Sequence, residues 1–181
     1  MSNGLSVAAF LQPLSGAYPF GFRSSEGRRL AVVERYVRGD EVSAQAFDPI
    51  ARLAAHLFDT PIAFCTLVER NRIRLLGAHG FDSSRELPHE PGFCANAIER
   101  QVPYIIEQAD IDPRSRQHSL VTGHENVRFY VASQLRVDGQ NVGTLCVLDR
   151  VARRADIEVV EMLEVLAELA ADRLKQYATA A

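Results

Sequence analysis

The sequence predicts an α+β fold, one antiparallel sheet of five to six strands sandwiched by helices. Three observations lead there. The stretch Arg128 to Asp149 reads as two strands joined by a tight turn. Helical apolar spacing marks the segments near both ends of the chain. Between them run shorter strand patterns broken by proline and glycine, in the order helix, helix, two strands, short helix, one strand, long loop, hairpin, helix. One sheet with helices on it buries the apolar side of every element.

The hairpin carries the clearest signal. Phe129, Val131, Ser133, Leu135 and Val137 alternate with Tyr130, Ala132, Gln134 and Arg136, the period of a strand. Asp138-Gly139 supplies the turn, because glycine takes positive φ without steric cost. Val142 to Leu148 is apolar on both sides except at Thr144, so both faces of this strand should be covered. Ahead of the hairpin, Glu26 to Val37 carries Leu30, Val33 and Val37 at helical spacing, and Gly39-Asp40 closes it. Ala46 to Phe58 places Phe47, Ile50, Leu53, Ala54 and Leu57 on one stripe. Strands are expected at Ile62 to Glu69, Arg72 to His79 and Tyr104 to Glu107, with a short helix from Phe93 to Arg100. Gly80 to Pro91 and Ala109 to Glu125 read as loops, and a loop as long as the second inside a compact domain is functional or mobile. Asp156 can cap a last helix to Tyr177, its apolar side formed by Ile157, Val160, Leu163, Leu166, Leu169, Ala170, Leu174 and Tyr177. Residues 26–177 form the domain, and 1–25 and 178–181 are tails, the first docked by Phe10, Tyr18, Phe20 and Phe22.

Bulk composition narrows the function classes. The chain has 181 residues, 47% hydrophobic, with a net charge of −3. It contains no run near the roughly 20 apolar residues of a membrane span and no secretory signal at Met1-Ser-Asn-Gly. A cytoplasmic protein is expected, without nucleic-acid or membrane partners, since the charge gives no electrostatic case for either. Cys65, Cys94 and Cys146 are far apart and odd in number. Neither a disulfide framework nor a zinc motif is indicated.

Several stretches together carry a resemblance. Arg128-Phe-Tyr, Leu135-Arg136 and Gly143-Thr-Leu-Cys-Val-Leu-Asp149 resemble the end of the GAF domains found in bacterial sensor histidine kinases and diguanylate cyclases. Gly92-Phe-Cys-Ala-Asn-Ala-Ile98 is similar to that family's short central helix, and Asp110, Asp112-Pro-Arg114 and Val121-Thr-Gly123 to the loop after it. Glu26 to Phe58 resembles its leading helices, and Pro61-Ile-Ala63 with Leu67-Val68 its first strand. The match runs from about residue 26 to 175. The chain departs from the pattern at three places near the expected pocket. Arg74 and Leu75 stand where the family often has Trp-Phe, Asn96 stands for a histidine, and Gln134 for a proline.

The resemblance implies a small-molecule pocket on one face of the sheet. Its ligand-binding residues are expected to be Phe93, Cys94 and Ala97 on the short helix, Asp110, Asp112 and Arg114 in the loop, and Phe129, Val131 and Ser133 on the sheet. The ligand and any cofactor remain unnamed. Two readings stand for Cys94. It is either a thiol activated by the start of a helix or, as preferred, a small buried hydrophobe. Cys65 and Cys146 are read as core. His89, His118 and His124 lack metal-ligand spacing, so no metal is expected. The family's free methionine sulfoxide reductase branch shares the Gly-x-Cys of Gly92 to Cys94, but also needs a second cysteine in the long loop. Residues 109–128 hold none. The cyclic-nucleotide signature after the last strand and the bilin-attaching loop cysteine are missing as well.

A stand-alone regulatory module that binds a small molecule or responds to redox state is therefore expected, rather than an enzyme. The rivals are a reductase using Cys94 and a dimerisation module with a filled pocket. Output would pass through a homodimer of terminal helices to a partner, with a kinase or cyclase as candidate. Val159, Met162, Val165, Leu169 and Ala171 remain for the dimer contact once the other side of the last helix covers the sheet, and the first helix adds Leu30, Val33 and Val37 as a second surface.

Overall fold

The structure is a computed structural model that describes residues 25–37, 46–81 and 85–179. The expected N-terminal tail and the Gly39-Asp40 helix stop lie outside the described residues. The elements are α1 (Ser25–Val37), α2 (Asp48–Phe58), β1 (Ile62–Val68), β2 (Arg72–His79), β3 (Glu86–Pro88), α3 (Cys94–Ala97), β4 (Tyr104–Ile106), α4 (Ser119–Thr122), β5 (Phe129–Val137), β6 (Gln140–Asp149) and α5 (Ile157–Thr179). The six strands form one antiparallel sheet in the order β3-β2-β1-β6-β5-β4. The α+β expectation holds, with the sixth strand and one extra helical turn lying inside segments read as loops.

Asp138 and Gly139 both have positive φ, 50° and 71°, the turn geometry that matches the twist of a two-residue hairpin. They hold β5 beside β6, with Val131 paired to Val147 and Ser133 to Leu145. β6 is buried along nearly its whole length, because both sheet faces are covered. Gly143 lets β1 and β6 approach at this point, since a Cβ there would sit 1.8 Å from the Thr66 carbonyl oxygen.

The two faces have different roles. One face, with Cys65, Phe129, Val131, Leu135, Leu145 and Val147, packs under α1, α2 and α5. The other, with Phe64, Tyr130, Ala132, Cys146 and Leu148, packs under Phe93, Cys94 and Ala97, Val121 of α4 and the connecting loops. α1 is fixed by a buried guanidinium. Arg29 donates two hydrogen bonds to Glu26, both 2.7 Å, and one to the Val68 carbonyl oxygen at 2.6 Å. Leu30, Val32, Val33 and Tyr36 of the same helix are buried. This corrects the expectation that α1 offers Leu30 and Val33 to a partner, because they are used within the chain.

α5 starts with its Asp156 cap, whose carboxylate accepts from Glu158 N at 3.0 Å. Val160, Leu163, Ala167, Ala170, Ala171 and Leu174 bury against the sheet layer. Ile157 was expected in that line but lies in the first turn and is exposed, and Ala171 takes part in burial instead. Met162, Val165 and Leu169 stay 52–57% exposed along one stripe. No helix among the described residues is long and apolar enough to cross a membrane.

Candidate functional site

The candidate site lies on the face opposite the three long helices, where one short turn of helix meets the centre of the sheet. Gly92 makes the entry possible. Its φ is +137°, and a Cβ would come within 3.0 Å of the His118 ring and 3.2 Å of the Arg114 carbonyl oxygen. Asn96 then closes the start of α3 by accepting from Gly92 N at 3.1 Å. The far end is tied to the sheet by two amides. Gln134 donates to the carbonyls of Ala97 and Val102 at 2.9 and 2.8 Å. Asn141 donates to those of Ile98 and Arg100 at 2.9 and 2.7 Å. Two of the departures from the family pattern thus act as fasteners for this segment. At the third, Arg74 pairs with Glu69 at 2.8 Å, and Leu75 enters the buried layer.

Phe93 is the plug. Its ring stacks on Tyr130 with centroids 4.5 Å apart and planes 16° from parallel, and meets His118 at 4.5 Å on its other side. Together with Phe64, Ile73, Leu87, Leu120 and Leu148 these rings leave a void of only about 10 Å³, the size of one water probe. Beneath the plug is a polar cluster. Tyr130 Oη donates to Cys94 Sγ at 3.3 Å. Thr66 and Thr144 share a hydrogen bond of 2.9 Å between hydroxyls. Cys146 on the central strand shares the buried cluster with Cys94, and its thiol is the largest influence drawing the Cys94 pKa down to about 7. Thr144, Tyr130 and Thr66 assist, while burial works against them. Cys146 moves the other way, far up, through burial first and the neighbouring Cys94 second. The two opposite shifts belong to the pair as a unit. Helix-dipole activation is not the cause, because α3 is a single turn. Cys65 faces the helix layer, and burial alone raises its pKa.

His118 links the plug to the loop. It is 6% exposed and caps α4, its Nδ1 accepting from Leu120 N at 3.1 Å, while Glu90 accepts from Ser119 N at 2.9 Å. Burial lowers the His118 pKa, and Glu90 opposes this. A neutral ring is what the acceptor role requires.

The expected site residues fall into three groups. Phe93, Cys94 and Ala97 stand together in one buried cluster. Phe129, Val131 and Ser133 point to the opposite face, and Tyr130 and Ala132 with Cys146 form the floor instead. Asp112 and Arg114 lie at the β4 edge. Arg114 Nη2 donates to Asp112 Oδ2 at 2.6 Å and to the Ile105 carbonyl at 3.1 Å, and its guanidinium sits 5.0 Å from the centre of the Tyr104 ring. That pair holds the Asp112 carboxyl below its usual range. Both residues line a cleft of about 720 Å³ shared with Glu107, Arg153 and Arg154, separate from the plugged face. Asp110 lies 3.7 Å from Arg128. Among the described residues no cluster could hold a metal ion.

Sequence reasoning missed Tyr130, Thr66, Thr144 and Cys146. The available signal was parity. Thr144 and Cys146 are two apart on one strand, so they must share a face.

Residues 44–174 match the family model of the GAF domain. The chain is 33% identical over 155 residues to a cyclic di-GMP phosphodiesterase of Pseudomonas aeruginosa, covering 84% of this chain and 26% of that protein. It thus spans about a quarter of that relative's length. Among solved structures it resembles the GAF domain from Acinetobacter phosphoenolpyruvate-protein phosphotransferase, with a TM-score of 0.65 at 12% identity over 88% of this chain and 98% of that one. It is also similar to the free methionine-R-sulfoxide reductase from Neisseria meningitidis in complex with its substrate, with a TM-score of 0.64 at 18% identity over 91% and 99%. Likeness at this level of identity is a likeness of fold.

Proposed function

Because the chain belongs to the GAF domain family, we propose that it is the sensory module of a signalling protein. Its input is a small molecule or an oxidant reaching the α3 face, and its output is passed through the long helices. One observation carries the reading. Two thiols, a phenol and two threonine hydroxyls, with hydrogen bonds from Tyr130 to Cys94 and between Thr66 and Thr144, sit at the middle of the sheet behind a single aromatic plug. A domain needing only a core would fill that position with aliphatic side chains, since buried polar groups cost stability unless each is partnered. In this form the void beside Phe93 and Cys94 has no room for a molecule of amino-acid size, so a ligand reaching it enters by displacing Phe93. The relative's name makes an enzyme of cyclic di-GMP turnover the candidate effector, beside a kinase or cyclase.

The exposed stripe Met162, Val165 and Leu169 suits a second copy of the chain. Three large apolar groups at helical spacing on one solvent face match the seam of a helix pair. A reductase reading keeps one point in its favour, the Cys146 thiol beside Cys94 where the long loop offers none. The closed volume of the face stands against it.

Native mass spectrometry of wild-type and Phe93→Ala protein, purified without denaturation, tests the reading. A small molecule retained by either form supports it. Both forms bare, with Cys94 inert to peroxide, would overturn it.

A further inference from the structure

We propose that Cys94 and Cys146 form a reversible disulfide when a hydroperoxide reaches the α3 face, fastening α3 to the central strand β6. This rests on the sensory reading above and deepens its redox arm. Four observations carry it. α3 packs directly on β6, and Cys94 and Cys146 belong to one buried cluster between them. Tyr130 aims a hydroxyl proton at Cys94 Sγ over 3.3 Å, which steadies a thiolate there. The void beside Cys94 is also lined by half-buried Leu87 and Leu120 and exposed Pro88, so part of its wall also faces solvent. Finally, Cys65 sits on the other face with burial as the sole cause of its raised pKa, and provides an internal control.

The chemistry balances. The Cys94 thiolate attacks the distal oxygen of the hydroperoxide. An S–O bond forms, the O–O bond breaks, and the alcohol or water leaves with the proton that the thiol gave up. Cys146 sulfur then attacks the sulfenic sulfur of Cys94. The S–S bond forms, the S–O bond breaks, and hydroxide leaves as water with the Cys146 proton. The pair has lost two electrons and two hydrogens to the peroxide, and a dithiol reductant returns them. The oxidised form holds the Phe93 plug covalently, because Phe93 adjoins Cys94 in sequence.

The test uses the full chain. Reduced protein is treated with hydrogen peroxide, quenched, alkylated under denaturing conditions and mapped by mass spectrometry. The expected product is a Cys94–Cys146 linked peptide, reversed by dithiothreitol, with Cys65 still alkylated. In Cys146→Ala the same treatment leaves Cys94 as a sulfenic acid that dimedone traps. Tyr130→Phe slows the first step roughly tenfold, the loss of one hydrogen bond to a charged sulfur. Oxidation of all three cysteines at one rate overturns the proposal. So does Cys94 passing to sulfinic acid while Cys146 remains free. Neither result touches the ligand arm of the sensory reading, which native mass spectrometry decides separately.

Discussion

Replacing Phe93 with alanine should remove the plug and leave a hole that a small apolar molecule can fill. The residue is 1% exposed, so the whole ring is lost from a packed layer. Burying such a ring and then emptying its site costs about 3–5 kcal/mol. The two ring contacts at 4.5 Å, one stacked and one tilted, place the loss in the upper part of that range, because aromatic pairs add roughly 0.5–1.5 kcal/mol beyond area. Against a total stability on the order of 5–15 kcal/mol, this is a large fraction, and the fold survives it where the total exceeds about 6 kcal/mol. Urea unfolding measures it as a lowered midpoint with an unchanged slope. Benzene added as a probe should raise the midpoint of the variant and not that of the wild type, since binding to the folded state alone stabilises it. A loss below about 1.5 kcal/mol, with no rescue by benzene, would refute the packing of Phe93 between Tyr130 and His118.

Gln134→Leu should cost about 1–3 kcal/mol in the same assay, because two carbonyls of the segment after α3 lose their donor. A neutral result would mean that Asn141 fastens the segment alone. Stability should fall as the pH drops below about 6.5, the ordinary histidine value. His118 has a lowered pKa in the fold, so the unfolded chain takes the proton first; its contribution is complete above that value and is lost as the pH falls through the folded one. His118→Asn keeps a capping acceptor and should flatten this part of the curve; an unchanged slope assigns it to other groups. Val165→Glu with Leu169→Glu should split a homodimer in light scattering, each burying an unpaired carboxylate, and a dimer that survives both uses another surface. Turnover of free methionine sulfoxide with a thiol reductant should be absent. Turnover that vanishes in Cys94→Ser would establish the reductase reading.

How far the sequence could be read depended on whether neighbouring positions differ in chemistry. β5 and β6 were legible because Asp138-Gly139 admits few turn geometries and because unbroken apolar character over Val142 to Leu148 demands cover on both sides. That same character hid which side faces which helix. Phe129, Val131 and Ser133 were assigned to the pocket, whereas the first five residues of β5 are buried on both faces and the polar groups that mark the α3 side, Tyr130, Gln134 and Arg136, alternate with them. The β3 strand was hidden by its three-residue length and Pro88, and α4 by lying inside a loop whose caps, His118 and Glu90, come from different parts of the chain. The Cys94–Cys146 contact depends on where α3 crosses β6. Fifty-two positions separate the two residues, and only the sheet register brings them together.

The account claims that the α3 face is a site that opens, not a second static core. Hydrogen exchange on the reduced protein tests this most directly, because it reports local opening free energies along the backbone. Amides of residues 93–100 and 118–123 are predicted to exchange through an opening well below the global unfolding free energy, while those of β1, β5 and β6 exchange only on global unfolding. Amides of α3 that exchange as slowly as those of β6 would contradict the account.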